Sequence, residues 1–563
     1  MKKHITRLLF AALLLLALCI GASAAGTSGK CGPSAYWSFD SSTGTLTISG
    51  SGAMNDYEYG DYPWMDYRDS IQTIVIGDQI TQIGRYAFTG TACSTIKFGK
   101  NVRSIGERAF LECRNLNGDL TLPDSVQTIG AGAFQGCEKL SGDLTIPDSV
   151  VEIGEGAFRD CKNLNGTLTL GKNLRTIGKE AFSGCAFTGS LTIPEGVTEI
   201  ADSAFGAGIP LKKYGMFTGT LTLPSTLKTI GASAFSYADF SGELLIPDGV
   251  TSIGANAFEE CDGFGGTLSL PDSVKTVGEW AFYLCKGFTG LKLSAGLTKI
   301  EKLSFAHMYG LKTEVVIPEG VTEIGESAFQ CSHMPSVRFP STLKKIGKEA
   351  FYFSLNCKIA FPDGLEVIED EAFALCNVKS AVILPASIKS IGKKAFDSDW
   401  SYGKHNDIPL GAYFLGAAPQ LVGTGNANCS FPSDWTLNYL PGTSGWMGDT
   451  YEGYKIVPWD GETRWDNLYT DDFGYRDNKW NKIETSWSVN MDTGKITLTD
   501  DLNEGCAVAV SYDAEGRVTG IGVLRTKTDF VILNLQDTCR LFLLNASSSP
   551  RLDAPVTINY YIP

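Results

Sequence analysis

Residues 120–137, LTLPDSVQTIGAGAFQGC, contain the pattern that decides the fold of this chain. Leu120, Thr121 and Leu122 alternate apolar, variable and apolar, a two-residue period that is typical of a strand with one buried face. Pro123 then ends the strand because a proline cannot donate a backbone hydrogen bond. A second apolar pair, an Ile-Gly step and an Ala-Phe-x-x-Cys ending complete the unit.

This unit recurs from about residue 74 to residue 400, in fourteen copies spaced 22 to 24 residues apart, with one spacing of 30 between Phe205 and Phe235. One unit cannot bury its apolar face alone, but stacked neighbours can. The sequence therefore predicts a mainly β solenoid of about fourteen coils whose phenylalanines form one buried column. The repeat phenylalanines are Phe88, Phe110, Phe134, Phe158, Phe182, Phe205, Phe235, Phe258, Phe282, Phe305, Phe329, Phe351, Phe373 and Phe396.

The variable position of the first strand is predicted to point outward, and threonine occupies it in five consecutive coils. A regular strip of hydroxyl groups could meet an extended or repetitive ligand, so we treat these residues as candidate partner-binding residues. The alternative is that threonine simply suits exposed strand positions. The five residues are Thr121, Thr145, Thr169, Thr192 and Thr222.

Cysteines recur three residues after the repeat phenylalanine, and other copies have Gly208, Ala238 or Met308 there. Small or apolar residues that replace one another are typical of a buried core position. A metal or redox ladder is the alternative, but no histidine accompanies these cysteines and the substitutes cannot ligate a metal. An occasional disulfide between adjacent coils remains open. The cysteines are Cys113, Cys137, Cys161, Cys185, Cys261, Cys285 and Cys376.

The repeat resembles the bacterial surface-antigen leucine-rich repeats called BspA-like, through the proline after the first strand, the Ile-Gly step and the Ala-Phe-x-x-Cys ending. The resemblance implies a right-handed leucine-rich-repeat solenoid in an exported or surface-exposed protein that binds other proteins or glycans, often in adhesion. It extends to segments on both sides of the repeats: Cys31-Gly32, Trp37 to Asp40, Gly44 to Gly50, Pro63-Trp64, Tyr439 to Trp446 and Gly453 to Trp459.

Four places depart from the repeat. Ala201, Glu301 and Glu369 stand where glycine is usual, and we expect each to disturb the regularity of one coil. The longest spacing contains an insertion around residues 206–217, and insertions in repeat arrays often lie at binding surfaces. Its residues Lys212, Lys213 and Tyr214 are therefore further candidates for partner binding.

The first 24 residues have the pattern of a signal peptide: a basic start, an apolar run over residues 8–20 and small residues at 22–24. We expect the mature chain to begin near Ala25. A lipoprotein signal would use Cys19, but Leu18 is bulky where that peptidase needs a small residue. No other segment offers the ~18 apolar residues that a membrane span needs, so no membrane insertion is predicted after cleavage.

The charge balance argues against nucleic acid as a partner. The chain has 62 acidic and 47 basic residues, and loss of the leader would remove three of the basic ones. A surface of this sign repels nucleic acid and anionic membranes. Extracellular proteins, from a host or from neighbouring bacteria, or glycans remain as partners.

The chain divides by pattern into a signal peptide (1–24), an N-terminal β cap (25–73), the solenoid (74–404), a C-terminal cap (405–460) and a final module (461–563). Caps are expected because an open solenoid end exposes apolar surface and strand edges. In the final module, short strand-like runs separated by turns predict a small β-sandwich.

Aromatic residues are dense in both caps, and exposed aromatics stack on sugar faces. Carbohydrate binding through the C-terminal region is therefore the alternative function, although caps also need large apolar residues as lids. Five tyrosine and tryptophan residues between 57 and 67 cluster in the N-terminal cap. The candidate glycan-stacking residues are Trp446, Trp459, Trp465 and Trp480.

No motif predicts an enzyme, a metal site or a cofactor. His307, His333 and His405, the histidines of the mature chain, have no metal-ligand spacing and are interpreted as surface or loop residues. No nucleophile elbow, phosphate loop or dinucleotide fingerprint is found. Carboxylates are plentiful, but they are scattered, so a glycosidase is the least favoured reading. Asp471, Asp472 and Asp477 lack the spacing of an EF-hand loop, so calcium binding there is only an alternative.

Overall fold

The computed structural model describes residues 27–206, 216–354, 359–376, 382–397, 411–422, 430–432 and 435–458, together with the backbone of seven strands between residues 487 and 560. The chain divides into two compact units, Met1–Leu468 and Tyr469–Pro563. The predicted signal peptide, residues 1–24, lies outside the described residues.

All fourteen coils contribute a short strand ending at the Ile-Gly step, and twelve of them also contribute a Leu-x-Leu strand. Within each sheet, equivalent strands of neighbouring coils pair in parallel. The Leu-x-Leu strands form what we call the first row, and the strands that end at the isoleucine of the Ile-Gly step form the second row. The predicted mainly β leucine-rich-repeat solenoid is therefore confirmed. The first row is Thr73–Ile76, Thr95–Lys97, Leu144–Thr145, Leu168–Thr169, Leu191–Thr192, Leu221–Thr222, Gly242–Leu245, Phe264–Ser269, Gly290–Lys292, Val315–Val316, Val337–Arg338 and Val382–Leu384. The second row is Ile80–Ile83, Ser104–Ile105, Thr128–Ile129, Glu152–Ile153, Thr176–Ile177, Glu199–Ile200, Thr229–Ile230, Ser252–Ile253, Thr276–Val277, Lys299–Ile300, Glu323–Ile324, Lys345–Ile346, Val367–Ile368, Ser390–Ile391 and Gln420–Leu421.

The fourteen repeat phenylalanines form one continuous column. Each is between 0 and 2% exposed. Consecutive rings stack with centroids 5.1–5.7 Å apart and ring planes within 2–19° of parallel. This offset stacking is favourable for aromatic pairs, beyond the burial of the rings from water. The column is the axis of the core.

The glycine of the Ile-Gly step is required by close approach of the coils. The Gly130 and Gly154 N–H groups donate to Ile105 and Ile129 of the coil before, both over 2.8 Å. A Cβ on Gly154 would lie 2.5 Å from a backbone nitrogen of that coil. Their φ angles are outside the left-handed region. The glycine therefore admits a neighbouring backbone.

Two of the three glycine replacements coincide with breaks in the second row. Among the described residues this row forms three ladders, interrupted before Glu199–Ile200 and before Lys299–Ile300. Ala201 and Glu301 directly follow these two strands. The Glu369 coil stays in register, and the Glu369 N–H still donates to Ile346 over 2.9 Å. The expected disturbance is thus confirmed for two coils and wrong for the third.

The seven residues centred on each repeat phenylalanine form a run of tight turns, which we call the hook. In the third coil, the N–H groups of Gly132, Phe134 and Gly136 donate to carbonyls of the fourth coil over 2.7–2.8 Å. The carbonyls of the residues before each of these accept in the same way from the second coil. The hook ladder is therefore directional. The N–H groups that form it point toward the C-terminal end of the solenoid, and the carbonyls that form it point toward the N-terminal end.

A left-handed backbone residue lies two positions before the phenylalanine in all fourteen coils, and only two of these residues are glycine, Gly132 and Gly156. A left-handed residue within a turn brings successive N–H groups to the same side of the chain. The other twelve coils hold an ordinary side chain there, for example Arg108, Ser233 and Leu303. The hook geometry is thus imposed by the stack and not by local glycine preference.

The N-terminal cap closes the first hook with three donors. The Arg85, Ala87 and Thr89 carbonyls of that hook face the cap. They accept hydrogen bonds from the Tyr57 N–H over 3.0 Å, from Trp64 Nε1 over 2.9 Å and from Tyr62 Oη over 2.7 Å, respectively. The Trp64 ring also stacks on Phe88 with centroids 5.4 Å apart. The cap is built by the 3-10 turn Met65–Tyr67 and the antiparallel strands Ser28–Lys30, Ser34–Asp40 and Thr45–Ala53.

The coil geometry continues beyond residue 404, into the predicted C-terminal cap. Phe431 stacks on Phe396 with centroids 5.2 Å apart and planes 4° from parallel. The Phe396 N–H donates to the Ser430 carbonyl over 3.0 Å, as in every earlier hook. Residues 411–422 together with Ser430 and Phe431 therefore repeat the contacts of a coil. The first row also continues here, through Gly411–Phe414, Thr436–Tyr439 and Tyr454–Pro458, and Thr450–Tyr451 adds a hairpin.

The second unit contains two antiparallel sheets, of three and four strands. A β-sandwich built from them stays a prediction, because the side chains of these strands are outside the described residues. The strands are Trp487–Asn490, Lys495–Leu498, Cys506–Tyr512, Val518–Leu524, Phe530–Ile532, Thr538–Leu544 and Ile558–Tyr560.

Candidate functional site

The five threonines of the outward column lie on one face of the first row. All five are exposed. Thr145 pairs directly with Thr169, and Thr192 with Thr222, so their side chains stand in register on neighbouring strands. Thr121 lies just outside the regular strands. The structure thus brings these sequence-predicted residues together on one face.

The hydroxyl groups of this column have no hydrogen-bond partner among the described residues. The neighbouring outward column, two residues earlier in each strand, is different. There, Thr167 Oγ1 donates to Asp143 Oδ1 over 2.9 Å, and Thr220 Oγ1 donates to Ser190 Oγ over 3.2 Å. The threonine column therefore differs from its neighbour in that its hydroxyls bond to no other described residue.

The outward column changes character after the seventh coil. Leu245, the next outward residue, is 72% exposed, and Val316 farther along is 45% exposed. Lys292 and Arg338 occupy two other outward positions of the same row. The threonine column is thus a local feature of the N-terminal half of the solenoid. If the repeat itself required threonine at this position, the column would continue through the later coils.

The cysteine column is a row of hydrogen-bond donors as well as a row of small residues. The Cys113, Cys137 and Cys161 thiols donate to the carbonyl of the repeat phenylalanine in the preceding coil, over 3.1–3.2 Å. Ser332 Oγ makes the same bond to Phe305 over 2.6 Å, and Ser354 replaces cysteine in the next coil in the same way. Size alone therefore does not explain this position, since serine and cysteine share the donor.

These thiols are shielded from reaction. Burial raises the pKa of Cys261 and of Cys285 well above the usual value for a thiol. Of the ten described cysteines, nine are buried and Cys331 is half-buried, and no disulfide occurs among them. A protonated, buried thiol is a poor nucleophile and a poor metal ligand. The core interpretation is favoured over a redox or metal ladder.

Trp446 is part of the C-terminal lid. It is 8% exposed, its ring stacks on Tyr439 with centroids 5.3 Å apart, and Nε1 donates to the Gly416 carbonyl over 3.2 Å. A ring covered in this way favours the lid role over sugar stacking. The other three glycan candidates, Trp459, Trp465 and Trp480, and the insertion residues Lys212, Lys213 and Tyr214, lie outside the described residues.

Most aromatics of the N-terminal cap serve as its lid. Trp64 is fully buried and Tyr62 is 3% exposed, whereas Tyr59 is 67% exposed. Tyr59 contacts Tyr86 edge-to-face, with centroids 6.1 Å apart. The expected cluster is thus mainly structural, with one exposed ring.

Two histidines lie in an aromatic environment that the sequence did not indicate. His307 Nδ1 is 2.5 Å from Tyr309 Oη, and His333 is exposed and contacts the Tyr309 ring. Burial, then Lys286 and His333, lower the pKa of His307 below its ordinary value. Nowhere in the described part of the chain do three His, Cys, Asp or Glu side chains gather closely enough to hold a metal ion. His405 and the three aspartates considered for calcium lie outside that part.

The stacked coils, the Ile-Gly step and the Ala-Phe hooks agree with a sequence profile described as the BspA type leucine rich repeat region. This profile matches residues 62–142, 118–219, 141–264, 213–330 and 288–402, which together are more than half of the chain. The chain belongs to the BspA-type leucine-rich-repeat family. A comparison with curated proteins gave no match.

Several solved leucine-rich-repeat structures are similar to this chain. One from Bacteroides ovatus is 25% identical, with a TM-score of 0.41, and the match covers 68% of this chain and 93% of that one. One from Eubacterium ventriosum is 21% identical, with a TM-score of 0.39, over 68% and 98%. A leucine-rich cell surface protein from Faecalibacterium prausnitzii is 27% identical, with a TM-score of 0.36, over 57% and 90%. Among the described residues of this BspA-type chain, no helix is long and apolar enough to cross a membrane.

Proposed function

We propose that this chain is exported and acts outside the cell as an interaction protein, binding another protein along the first row of its solenoid. The observation that carries the proposal is the threonine column: exposed hydroxyls in register, none of them with a hydrogen-bond partner among the described residues. A row of exposed hydroxyls at a regular spacing offers repeated hydrogen-bonding groups to an extended protein segment, whose backbone N–H and C=O groups also recur regularly.

Membership of the BspA-type family and the leader-like residues 1–24 support export and adhesion. The excess of acidic residues supports a protein partner over nucleic acid. The alternative, carbohydrate binding through the C-terminal tryptophans, has less support, because Trp446 is buried in the lid. Nothing in the site supports catalysis, so binding alone is proposed.

Binding along the first row is tested by placing bulky charges on it. The full mature chain would be immobilised and exposed to extracellular-matrix proteins and mucin glycans, as wild type and as the double variant Thr145→Lys/Thr169→Lys. The matched control is Thr176→Lys/Thr276→Lys, which alters two exposed threonines of the second row. We expect a protein ligand that the control retains and the first-row variant loses. Retention that survives the first-row variant and disappears on addition of free sugar would contradict the proposal.

Export is tested separately. The full-length gene product expressed in a bacterial host should appear in the medium or on the cell surface, where external protease reaches it. Its N-terminus should lie near Ala25 by mass spectrometry. Retention in the cytoplasm with residues 1–24 still attached would refute the proposed location.

A further inference from the structure

Six aromatic side chains form a continuous strip across the hooks of the ninth to the twelfth coil. Each ring meets the next edge-to-face, with centroids 4.5–5.5 Å apart and planes 61–82° apart. We call this set the aromatic strip. In order, its members are Trp280, Tyr283, His307, Tyr309, His333 and Phe353.

The aromatic strip is at the surface and separate from the phenylalanine column. Tyr309 is 40% exposed and His333 is exposed, whereas the other four rings are half-buried. The repeat phenylalanines beneath it, such as Phe282 and Phe305, are fully buried. The strip therefore adds apolar surface that contacts water and contributes little to closing the core.

The fold does not require aromatic residues at these positions. Trp280 lies two residues before its repeat phenylalanine, where the third and fourth coils have Gly132 and Gly156. Trp280, His307 and His333 have positive φ angles of 62, 61 and 46°, where large side chains are disfavoured. Positive φ angles also occur at the positions of Trp280 and His307 in other coils, so this backbone belongs to the repeat, whereas the aromatic side chains on it are specific to these coils.

Two carboxylates, Glu259 and Glu371, lie near the aromatic strip or the residue next to it. Burial, then Tyr309 and the carboxylate of Glu259, raise the pKa of Tyr283. Glu371 stands beside Tyr352, which adjoins the far end of the strip in sequence. Neither carboxylate has an ion-pair partner among the described residues. Lys286, which acts on His307 and Tyr309, is already held by Asp262 over 2.7 Å. Lys394, which acts on Tyr352, pairs with Asp397 over 3.4 Å.

We propose that the aromatic strip is a second binding surface, which takes a basic segment of a partner protein by cation–π contacts to its rings and ion pairs with its flanking carboxylates. Aromatic ring faces carry negative potential and attract guanidinium and ammonium groups. The surplus of acidic residues in the whole chain adds a long-range attraction of the same sign. This goes beyond the proposed function, because it uses a different face and a partner of defined charge.

The test is isothermal titration of the full mature chain with an octa-arginine peptide, and with an octa-citrulline peptide that has nearly the same shape without charge. The strip variant is Tyr283→Leu/Tyr309→Leu, which removes two rings and keeps apolar side chains. The matched control is Tyr36→Leu/Tyr59→Leu, which removes two exposed rings of the N-terminal cap. Circular dichroism of each variant verifies the fold.

We expect wild type to prefer the arginine peptide, the strip variant to weaken that binding about tenfold, and the cap variant to leave it unchanged. Glu259→Gln/Glu371→Gln should weaken it about threefold without altering any ring, which keeps the test valid if the leucine variant fails to fold. Equal affinity for the two peptides, or equal weakening by the cap variant, would overturn the proposal. So would binding of a neutral mucin oligosaccharide that the strip variant abolishes. The first-row variant Thr145→Lys/Thr169→Lys should still bind the peptide, so the two proposals fail independently.

Discussion

The two ends of the phenylalanine column both finish on tryptophan and tyrosine rings, but these rings have different hydrogen-bonding roles. The N-terminal rings supply donors, whereas the C-terminal end requires an acceptor. At the N-terminal end, Trp64 and Tyr62 donate to carbonyls of the first hook. At the C-terminal end, Tyr454 Oη accepts from the Phe431 N–H over 2.9 Å. The same hydroxyl also donates to the Phe431 carbonyl over 2.9 Å.

This difference follows from the polarity of the hook ladder. The carbonyls of the hook ladder accept from the coil before, and its N–H groups donate to the coil after. The ladder carbonyls of the first hook therefore need donors from a cap, and the ladder N–H groups of the last hook need acceptors. A buried carbonyl or N–H without a partner is costly. The caps are therefore chemically specific, and an apolar lid of the same shape would not replace either of them.

The largest effect should come from the middle of the column, where a change breaks the stack that both ends protect. Phe158→Ala removes a fully buried ring between two stacked neighbours, and we expect the free energy of unfolding to fall by about 3–5 kcal/mol. Urea unfolding followed by circular dichroism measures the loss. A loss below that of either cap variant would show that the column is less important than its ends.

At the N-terminal end, Trp64→Phe keeps an aromatic ring on Phe88 but removes the donor to the Ala87 carbonyl. The control is Trp37→Phe, which removes similar atoms from a ring that is 5% exposed and whose Nε1 has no hydrogen-bond partner among the described residues. Trp64→Phe should lower the unfolding free energy by about 1–3 kcal/mol more than the control, because the carbonyl stays buried without a donor. Equal losses would mean that the ring, and not its N–H, closes this end.

At the C-terminal end, Tyr454→Phe removes the hydroxyl that serves the Phe431 N–H and carbonyl. We expect a loss of about 1–2 kcal/mol in the unfolding free energy, again by urea unfolding. Tyr439→Phe is the control, because its hydroxyl has no hydrogen-bond partner in the described part of the chain. If both variants match wild type, water completes the ladder at this end and the specific acceptor is unnecessary.

The smallest effect should be stabilising and concerns the hook itself. Ser233→Gly places glycine at a φ of 53°, which relieves the strain of an ordinary side chain there but adds entropy to the unfolded chain. We expect a net gain of about 0.5 kcal/mol in the unfolding free energy. Ala232→Gly, one residue earlier and outside the left-handed region, should instead lower it by about 0.5–1 kcal/mol. The same sign for both substitutions would contradict the assigned hook geometry.

Repetition made most of the fold predictable. Fourteen equivalent phenylalanines at near-constant spacing can be buried together in only one simple way, so the column and both strand rows followed from residue type and interval. The threonine column was predicted by the same reasoning, as the outward position of the first strand. Ala201 and Glu301 were identified as departures for the same reason, whereas Glu369 shows that a larger residue can also be accommodated in register.

The remaining features could not be found by comparing copies. The cysteine thiol donates to a carbonyl of the preceding coil, and serine replaces it in the same role. Because hydrophobicity scales separate cysteine from serine, they do not reveal this shared donor. Left-handed hook residues such as Arg108 and Leu303 carry no local signal, since few side chains favour that backbone. The aromatic strip joins residues at four different repeat positions in four coils, so its rings are neighbours only after stacking.

The sequence by itself determined the coil, its period and which side chains face inward, because these depend on apolar spacing within about two dozen residues. Only the tertiary structure decided the direction of the hook ladder, the chemistry of the two caps and the contacts of the aromatic strip. Those features arise between coils, where backbone groups of one copy meet another, and hydrogen-bond direction is not encoded in the hydrophobicity of either.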